Sequence, residues 1–177
     1  PTLASAPFDE LCRAAGLIRS LEDDTGGACF LGVQLEGRYL NPKRRGAHNP
    51  DHLAPLAPDE LDTFIAASGL PAHITAALEL DENAFARRAL ELGATLGLGH
   101  TDATYAEAYS AWEKYGVSFT HLYNAMPQIH HREGGAAAAA LMSGGMCELI
   151  CDGLHIAPHM VNFTPVSYTH LRAHETR

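Results

Sequence analysis

The 177-residue chain has no long apolar run and few basic residues for its length. A membrane-spanning helix needs about 18 or more consecutive apolar residues, and no stretch of that kind occurs. Lysine and arginine number 12 against 21 aspartates and glutamates, which gives a net charge of -9. Because contacts to nucleic-acid phosphates require a surplus of basic side chains, the charge balance argues against such a partner. We therefore predict neither a membrane nor a nucleic-acid partner.

Cysteine is also sparse, and the four that occur form no CxxC pair: Cys12, Cys29, Cys147 and Cys151. Small buried thiols without pairing motifs are typical of a reduced compartment. The chain begins Pro-Thr-Leu, without an initiating methionine and without a signal peptide. We therefore expect a cytoplasmic protein whose sequence is incomplete at its front.

The sequence does contain short apolar runs that alternate with segments of helical spacing. The apolar runs predict strands at 30–35, 73–80, 94–99, 117–120 and 146–151. Helical spacing with capping residues predicts helices at 59–68, 82–92, 104–115 and 133–143. Strands alternating with helices indicate parallel βαβ units, about five here, whereas a complete eight-fold barrel needs about 250 residues. The predicted fold is therefore α/β, and a (β/α)8 TIM-type barrel is possible only in part.

Four side chains that bind metal ions in proteins fall at or just beyond the ends of predicted strands: Glu36, His100, His121 and His155. In a (β/α) barrel the C-terminal strand ends converge on the active-site mouth. Two histidines and a carboxylate suit Zn²⁺ or a similar ion and leave a position for water. Such an ion activates water and polarises a carbonyl, which is the chemistry of amide hydrolysis. Spacing alone leaves two interpretations open. The residues form a metal site, or they are unrelated side chains that follow strands by coincidence.

A set of motifs in fixed order covers residues 30–162: GVQLEG with LNPK and GAHNP, then GHTDATY, then THLYNAMP followed by Arg132-Glu133, then DGLH. This ordered set resembles the N-acetylglucosamine-6-phosphate deacetylase family of the amidohydrolase superfamily, and THLYNAMP is its most specific part. The resemblance implies the metal-dependent amidohydrolase kind of TIM-type barrel, present here in part over residues 1–165. Residues 166–177 have no helix or strand period and look like a translated adaptor sequence, so we predict a non-native or disordered tail.

The resemblance also implies a role for each matching position. The metal ligands would be Glu36, His100 and His121, with Zn²⁺ as the expected ion and Fe²⁺, Co²⁺ or Mn²⁺ as alternatives. The substrate-binding residues would be Ala47, His48, Asn124, Ala125, Arg132 and His155. In the family the arginine at the position of Arg132 reaches the substrate phosphate from the neighbouring subunit, which implies a homodimer. An arginine suits that role because it gives charge-assisted hydrogen bonds to phosphate.

The implied reaction is hydrolysis of the N-acetyl group of N-acetylglucosamine 6-phosphate to glucosamine 6-phosphate and acetate. In the family an aspartate on a later strand moves the proton of the attacking water to the leaving amine. No residue of this chain matches that aspartate, and Asp152 belongs to the DGLH turn. No catalytic residue is therefore assigned, and we expect the chain on its own to be an inactive fragment.

Two other functions stay open at this stage. A different metal-dependent amidohydrolase, similar to a dihydroorotase or a deaminase, would share the barrel and the metal but would not need the THLYNAMP motif and Arg132. A non-catalytic sugar-phosphate-binding fragment is the other alternative.

The chain departs from the family pattern at three places. Arg38 stands where proline is usual, Asp102 stands where asparagine is common, and His130-His131 come before Arg132.

Overall fold

The computed structural model of the chain describes residues 1–21, 30–82 and 84–164. Five strands form one sheet in the order in which they occur along the chain, and every neighbouring pair is parallel. The strands are β1 (Thr2–Leu3), β2 (Val33–Leu35), β3 (Ala72–Ala76), β4 (Thr95–Leu98) and β5 (Ser118–Phe119). Sequential parallel order is the arrangement of consecutive βα units in a barrel, so the predicted α/β class is confirmed.

Helices connect the strands. They are α1 (Phe8–Ser20), α2 (Pro58–Ser68), α3 (Phe85–Glu91), α4 (Tyr105–Tyr115) and α5 (Gly135–Ser143). Short 3-10 helices span Pro42–Arg44, Pro50–His52 and Leu78–Leu80, and residues 158–164 are also helical. Within the described ranges no helix has both the length and the apolar character needed to cross a membrane.

The two faces of the sheet differ in polarity, and the apolar face packs against the helices. On one face the paired residues Leu35, Ile74 and Leu96 are buried, and they join the helices in a single apolar core. Alternate residues point to the opposite face, where Gln34 donates a hydrogen bond to Thr75 at 3.3 Å. The largest fully buried side chains of the apolar core are Tyr39, Phe64, Phe85 and Phe119.

Helix α4 shows why its boundaries were predictable from the sequence. The Thr104 hydroxyl accepts from the Glu107 backbone N–H, and the Glu107 carboxylate accepts from the Thr104 N–H, which together form a capping box. At the other end Gly116 has φ of 63° and closes the helix in the left-handed conformation. Helix α2 begins at Pro58 and ends at Ser68, and the next residue, Gly69, has the left-handed conformation.

The predicted strand at 146–151 was wrong as a full strand, because only an isolated parallel bridge joins Phe119 to Cys147. The Met146 carbonyl and the Glu148 N–H both bond to Phe119, at 2.8 and 2.9 Å. Among the described residues no strand pairs with the far side of this segment, so its only sheet pairing is this bridge to β5. The sheet still has five strands, because β1 contributes one that the sequence patterns did not predict.

Other strand boundaries are shorter than the apolar runs that predicted them. The run at 73–80 divides into β3 and the 3-10 helix Leu78–Leu80. The boundary between a domain at 1–165 and a tail at 166–177 falls outside the described residues, as does Cys29. That boundary therefore stays a prediction.

Candidate metal centre

Three side chains meet at one edge of the sheet. Glu36 follows β2 directly, and His100 and His121 each lie two residues beyond the ends of β4 and β5. Since these strands are parallel, their carboxyl ends lie at the same edge. The Glu36 Oε1 atom lies 3.1 Å from the Nε2 atom of His100 and 3.1 Å from that of His121. The two Nε2 atoms are 3.0 Å apart.

Glu36 Oε1 and the Nε2 atoms of His100 and His121 form a triangle of donor atoms that fits a divalent cation. One carboxylate oxygen and two imidazole nitrogens lie within 4.8 Å of one another and form the one metal-capable group found in the described part of the chain. The Nδ1 atom of His100 lies 2.8 Å from the carbonyl oxygen of Arg44, which can only accept a hydrogen bond. With a cation bound, the proton of a neutral His100 imidazole would therefore reside on Nδ1, and Nε2 would present its lone pair to the ion.

His121 also presents Nε2 to the triangle. Its Nδ1 atom is buried and has no hydrogen-bond partner among the described residues, so the interactions of this ring are concentrated at Nε2. Donor atoms about 3 Å apart are close enough together for all three to bind one zinc ion through bonds of about 2.0–2.2 Å. The donor set and its spacing therefore fit a divalent metal ion.

The electrostatics of the triangle keep Glu36 ionised. Burial opposes its charge, but hydrogen bonds from His100 and His121 outweigh burial and hold the pKa of Glu36 well below its usual range. Burial alone would lower the pKa of His121, yet the neighbouring Glu36 carboxylate raises it overall. A carboxylate must be deprotonated to bind a metal ion, and the surroundings of Glu36 favour that form.

Backbone strain marks the same place. His100 and His121 have φ angles of 47° and 34°, and Tyr123 and Ala125 have φ angles of 76° and 51°. Left-handed conformations are uncommon for residues other than glycine and cost about 1–3 kcal/mol each where the surroundings enforce them. The backbone N–H of residue 101 helps to hold this geometry by donating to the Ala125 carbonyl at 3.1 Å. Sequence patterns gave no signal for this strain, because none of the four positions is glycine.

The other predicted site residues divide into two groups. His48 adjoins the triangle, because its ring packs edge-on against His100 with centroids 4.7 Å apart and its Nε2 lies 3.9 Å from Glu36 Oε1. Ala47 is exposed beside it, and Asn124 and Ala125 are half-buried in the loop after His121. These residues lie on the loops that carry the metal-capable side chains.

Arg132 and His155 form the second group. Both are exposed, and within the described ranges neither makes a hydrogen bond or ion pair to the triangle. His155 instead lies 2.7 Å from Asp152 through its Nδ1 atom. The Asp152 carboxylate accepts hydrogen bonds from the His155 backbone N–H, the His155 ring and the Leu154 backbone N–H. These bonds lower the pKa of Asp152 to about 2. The carboxylate of Asp152 is thus occupied by its own turn.

The departure at Arg38 has a structural explanation. Its guanidinium forms a two-pronged ion pair with Glu60 on α2, with one contact of 2.7 Å, and lies over the Phe8 ring at 4.8 Å. The buried Tyr39 donates its hydroxyl to the same carboxylate at 3.0 Å. These contacts tie the loop that follows Glu36 to α1 and α2. Asp102, the second departure, pairs with Arg44 and Lys43 at 2.9 and 3.3 Å.

We expect Glu60→Gln to lower the free energy of unfolding at pH 7 by about 1–2 kcal/mol, since hydrogen bonds to a charged group are worth roughly that much. Hydrogen bonds from Arg38, opposed by burial, lower the pKa of Glu60 in the folded chain. Its stabilising contribution is therefore complete above the unfolded value of about 4.3 and is lost as the pH falls through the folded pKa.

Urea unfolding of both chains at pH 7 and at steps below pH 4.5 measures this effect. The gap between wild type and Glu60→Gln should close as the pH falls. The exposed neighbour Asp59 makes no ion pair among the described residues, so Asp59→Asn serves as the matched control and should change little. A gap of the same size at every pH would contradict the ion-pair explanation.

Comparisons with known proteins identify the family. No protein-family model matches the chain. It is 34% identical over 162 residues to the N-acetylgalactosamine-6-phosphate deacetylase of Escherichia coli O157:H7, a match that covers 89% of this chain and 43% of that protein. It is 37% identical over 138 residues to the N-acetylglucosamine-6-phosphate deacetylase of Bacillus subtilis, covering 75% of this chain and 34% of that protein.

A solved structure agrees with these relatives. The fold superposes with a TM-score of 0.84 and 30% identity on a mutant N-acetyl-D-glucosamine-6-phosphate deacetylase from Mycobacterium smegmatis in complex with N-acetyl-D-glucosamine-6-phosphate. The match covers 94% of this chain and 44% of that one, so the chain spans less than half the length of the proteins it matches. Over the length that it shares with them, the chain belongs to the family of N-acetylglucosamine-6-phosphate deacetylases.

Proposed function

We propose that this chain supplies the metal-binding and substrate-binding part of an enzyme that hydrolyses the N-acetyl group of N-acetylglucosamine 6-phosphate. The observation that carries the proposal is the triangle of Glu36, His100 and His121, with donor atoms 3.0–3.1 Å apart at the carboxyl edge of a parallel sheet. The deacetylase names of the relatives support the choice of reaction.

These three residues would hold the divalent ion, and zinc suits the two nitrogens and one oxygen best, with Fe²⁺, Co²⁺ and Mn²⁺ as alternatives. A bound ion supplies Lewis-acid chemistry, which makes water a better nucleophile and polarises the amide carbonyl. His48 packs against His100 at the edge of the triangle, and burial lowers its pKa. A neutral His48 can donate one hydrogen bond to a polar group of the substrate.

The remaining substrate contacts follow from position. Ala47, Asn124 and Ala125 would contact the sugar phosphate. His155 would offer its Nε2 atom to the substrate, since its Nδ1 atom is bonded to Asp152. Arg132 is exposed, as required of a side chain that reaches a phosphate bound by the neighbouring subunit of a homodimer. We place the reaction in the cytoplasm, in keeping with the free thiols of Cys12 and Cys151.

Proton transfer is the step for which this chain offers no assigned residue. The Asp152 carboxylate accepts hydrogen bonds from Leu154, from the His155 backbone and from the His155 ring, each at 2.7–2.8 Å. Asp102 is paired with Arg44 and Lys43. Both carboxylates are thus occupied, which supports assigning the general acid and base to an aspartate on a later strand of the family's barrel.

The sugar configuration gives a second candidate substrate. The relative from Escherichia coli O157:H7 bears the name of an N-acetylgalactosamine-6-phosphate deacetylase. N-acetylgalactosamine differs from N-acetylglucosamine only in the configuration of one hydroxyl. The metal, the amide and the phosphate are common to both substrates. The proposed chemistry is therefore the same for either sugar, and binding experiments must compare the two.

The chain loaded with Zn²⁺ is expected to bind N-acetylglucosamine 6-phosphate at least about tenfold more tightly than unphosphorylated N-acetylglucosamine, because charge-assisted hydrogen bonds to phosphate are strong. Isothermal titration calorimetry with both sugars, with N-acetylgalactosamine 6-phosphate and with dihydroorotate measures this preference. Acetate release should stay about 10²- to 10⁴-fold below a typical turnover of about 10 s⁻¹, the usual cost of a missing general acid or base.

Each outcome has a distinct meaning. Binding of dihydroorotate in preference to both sugar phosphates would replace the proposed substrate with that of another amidohydrolase. Acetate release near about 10 s⁻¹ would show that a group within the chain, such as Asp102 or Asp152, performs the proton transfer. Binding of neither sugar phosphate would contradict the proposed function.

A further inference from the structure

Glu79 connects two loops at the carboxyl edge of the sheet. It lies in the 3-10 helix Leu78–Leu80 that follows β3 and is half-buried. Its carboxylate accepts hydrogen bonds from the Asn41 side-chain amide at 2.8 Å, the Thr101 hydroxyl at 2.6 Å and the Asp102 backbone N–H at 2.7 Å. One carboxylate thus joins the loop after β2 to the loop after β4.

The partners of Glu79 surround His100. The Asn41 backbone N–H donates to the His100 carbonyl at 3.0 Å, and the Asn41 side chain caps the 3-10 helix Pro42–Arg44 by accepting from the Lys43 N–H. The carbonyl of Arg44, at the end of that helix, accepts from His100 Nδ1. Through Asn41, Glu79 therefore supports the group that orients the imidazole. Through Thr101 it holds the residue that follows His100.

His100 needs such support because its backbone is strained. Its φ of 47° lies in the left-handed region, and its side chain is almost fully buried. A strained conformation persists only where the surroundings determine it. Among the described residues, Glu79 makes no hydrogen bond or ion pair to Glu36, His100 or His121. Its influence on the triangle must therefore pass through the two loops.

We infer that Glu79 is a positioning residue that holds His100 in the orientation in which Nε2 faces Glu36 and His121. The inference rests on the proposed function of that triangle as a metal site. A carboxylate suits the role because three donors converge on its two oxygens, and hydrogen bonds to a charged acceptor are about twice as strong as neutral ones. Glutamine has the same length and keeps one acceptor oxygen, whereas alanine keeps none.

The test compares Glu79→Ala and Glu79→Gln with a matched control, Asp81→Ala. Asp81 also accepts hydrogen bonds from backbone N–H groups, those of residues 84, 85 and 86 at the start of α3. Among the described residues its carboxylate makes no hydrogen bond or ion pair to the loops around His100. Zn²⁺ affinity is measured by competition with a chromophoric chelator, and ligand geometry by the visible absorption spectrum of the Co²⁺-loaded chain.

Glu79→Ala is expected to weaken Zn²⁺ binding by about 10- to 100-fold, the usual cost of losing a group that orients a metal ligand, and to change the Co²⁺ spectrum. Glu79→Gln should recover part of the affinity and of the spectrum. Asp81→Ala should lower the melting temperature yet leave affinity and spectrum unchanged. If alanine prevents folding, the altered Co²⁺ spectrum of Glu79→Gln supports the inference, and an unaltered one overturns it.

A metal-free measurement separates this inference from the proposed function. In the metal-free chain the amide hydrogens of Asn41 and Thr101, which bond to His100 and Ala125, should exchange at least about tenfold faster in Glu79→Ala than in wild type. Equal exchange rates, or equal Zn²⁺ affinities, would overturn the positioning role. A wild-type chain that binds no Zn²⁺ would overturn the proposed function, while the exchange rates still decide whether Glu79 holds these loops.

Discussion

Replacing Glu36 with glutamine is expected to weaken Zn²⁺ binding by a factor on the order of 100 or more, above the 10- to 100-fold cost of losing a supporting residue. Glu36 Oε1 is the atom that both histidine nitrogens approach, each at 3.1 Å. The substitution keeps the shape of the side chain but removes its negative charge. The remaining donors, two neutral imidazoles, offer the cation no charge compensation.

Thermal unfolding with and without Zn²⁺ measures the same effect. An ion that binds only the folded chain stabilises it by about 2.7 kcal/mol at a concentration 100 times its dissociation constant, so wild type should melt at a higher temperature when zinc is added. Glu36→Gln should lose this increase. The control is Glu113→Gln on the exposed side of α4, which should keep it. A zinc-dependent increase of the same size in Glu36→Gln would exclude Glu36 as a ligand.

The largest expected loss of stability comes from Phe85→Ala, about 3–5 kcal/mol in the free energy of unfolding. Phe85 is fully buried at the start of α3, and its ring meets the Tyr39 ring edge-on with centroids 4.6 Å apart. Removing it leaves a cavity beneath the loop that follows Glu36. Because Tyr39 also accepts from the Ala77 N–H through its carbonyl, the cavity lies where β2, β3 and α3 meet.

Urea unfolding of Phe85→Ala, Phe85→Leu and Phe163→Ala tests this expectation. Leucine refills much of the volume and should cost less than alanine. Phe163 is about half exposed, at 49%, so its replacement should change stability by less than about 1 kcal/mol. A cost below about 1 kcal/mol for Phe85→Ala would show that this part of the core collapses around the missing ring.

Some of the helices could be predicted closely from local signals. Thr104 and Glu107 at one end of α4, and Gly116 at the other, satisfy the helix termini with groups a few residues away in sequence. Strands were harder to delimit, because an apolar run does not say where pairing stops. The run at 73–80 turned into a helix after Ala76, and 146–151 formed a single bridge.

The three metal-capable residues of the candidate site could be predicted from the sequence. The contacts that hold their loops in place could not. Each metal-capable residue follows an apolar run, and parallel strands bring their ends together whatever the intervening sequence. Glu60, the ion-pair partner of Arg38, and the hydrogen-bond partners of Glu79 lie 22 or more residues away in sequence, and no local pattern indicates them. The conformations of His100 and His121 also gave no signal, since a left-handed backbone is predicted from glycine and occurs here at histidine.

The amino-acid sequence by itself therefore predicted the order of the strands and helices from β2 to α5, because periodicity and caps are local properties of the chain. It also indicated Glu36, His100 and His121 as candidate metal ligands, through their place at strand ends and the resemblance of the surrounding motifs to a known family. Only the tertiary structure decided the 3.0–3.1 Å spacing of their donor atoms and the strain in the loops that carry them. It also decided which distant side chains hold those loops. These features depend on contacts that form only when the parallel strands pair and the loops pack against one another.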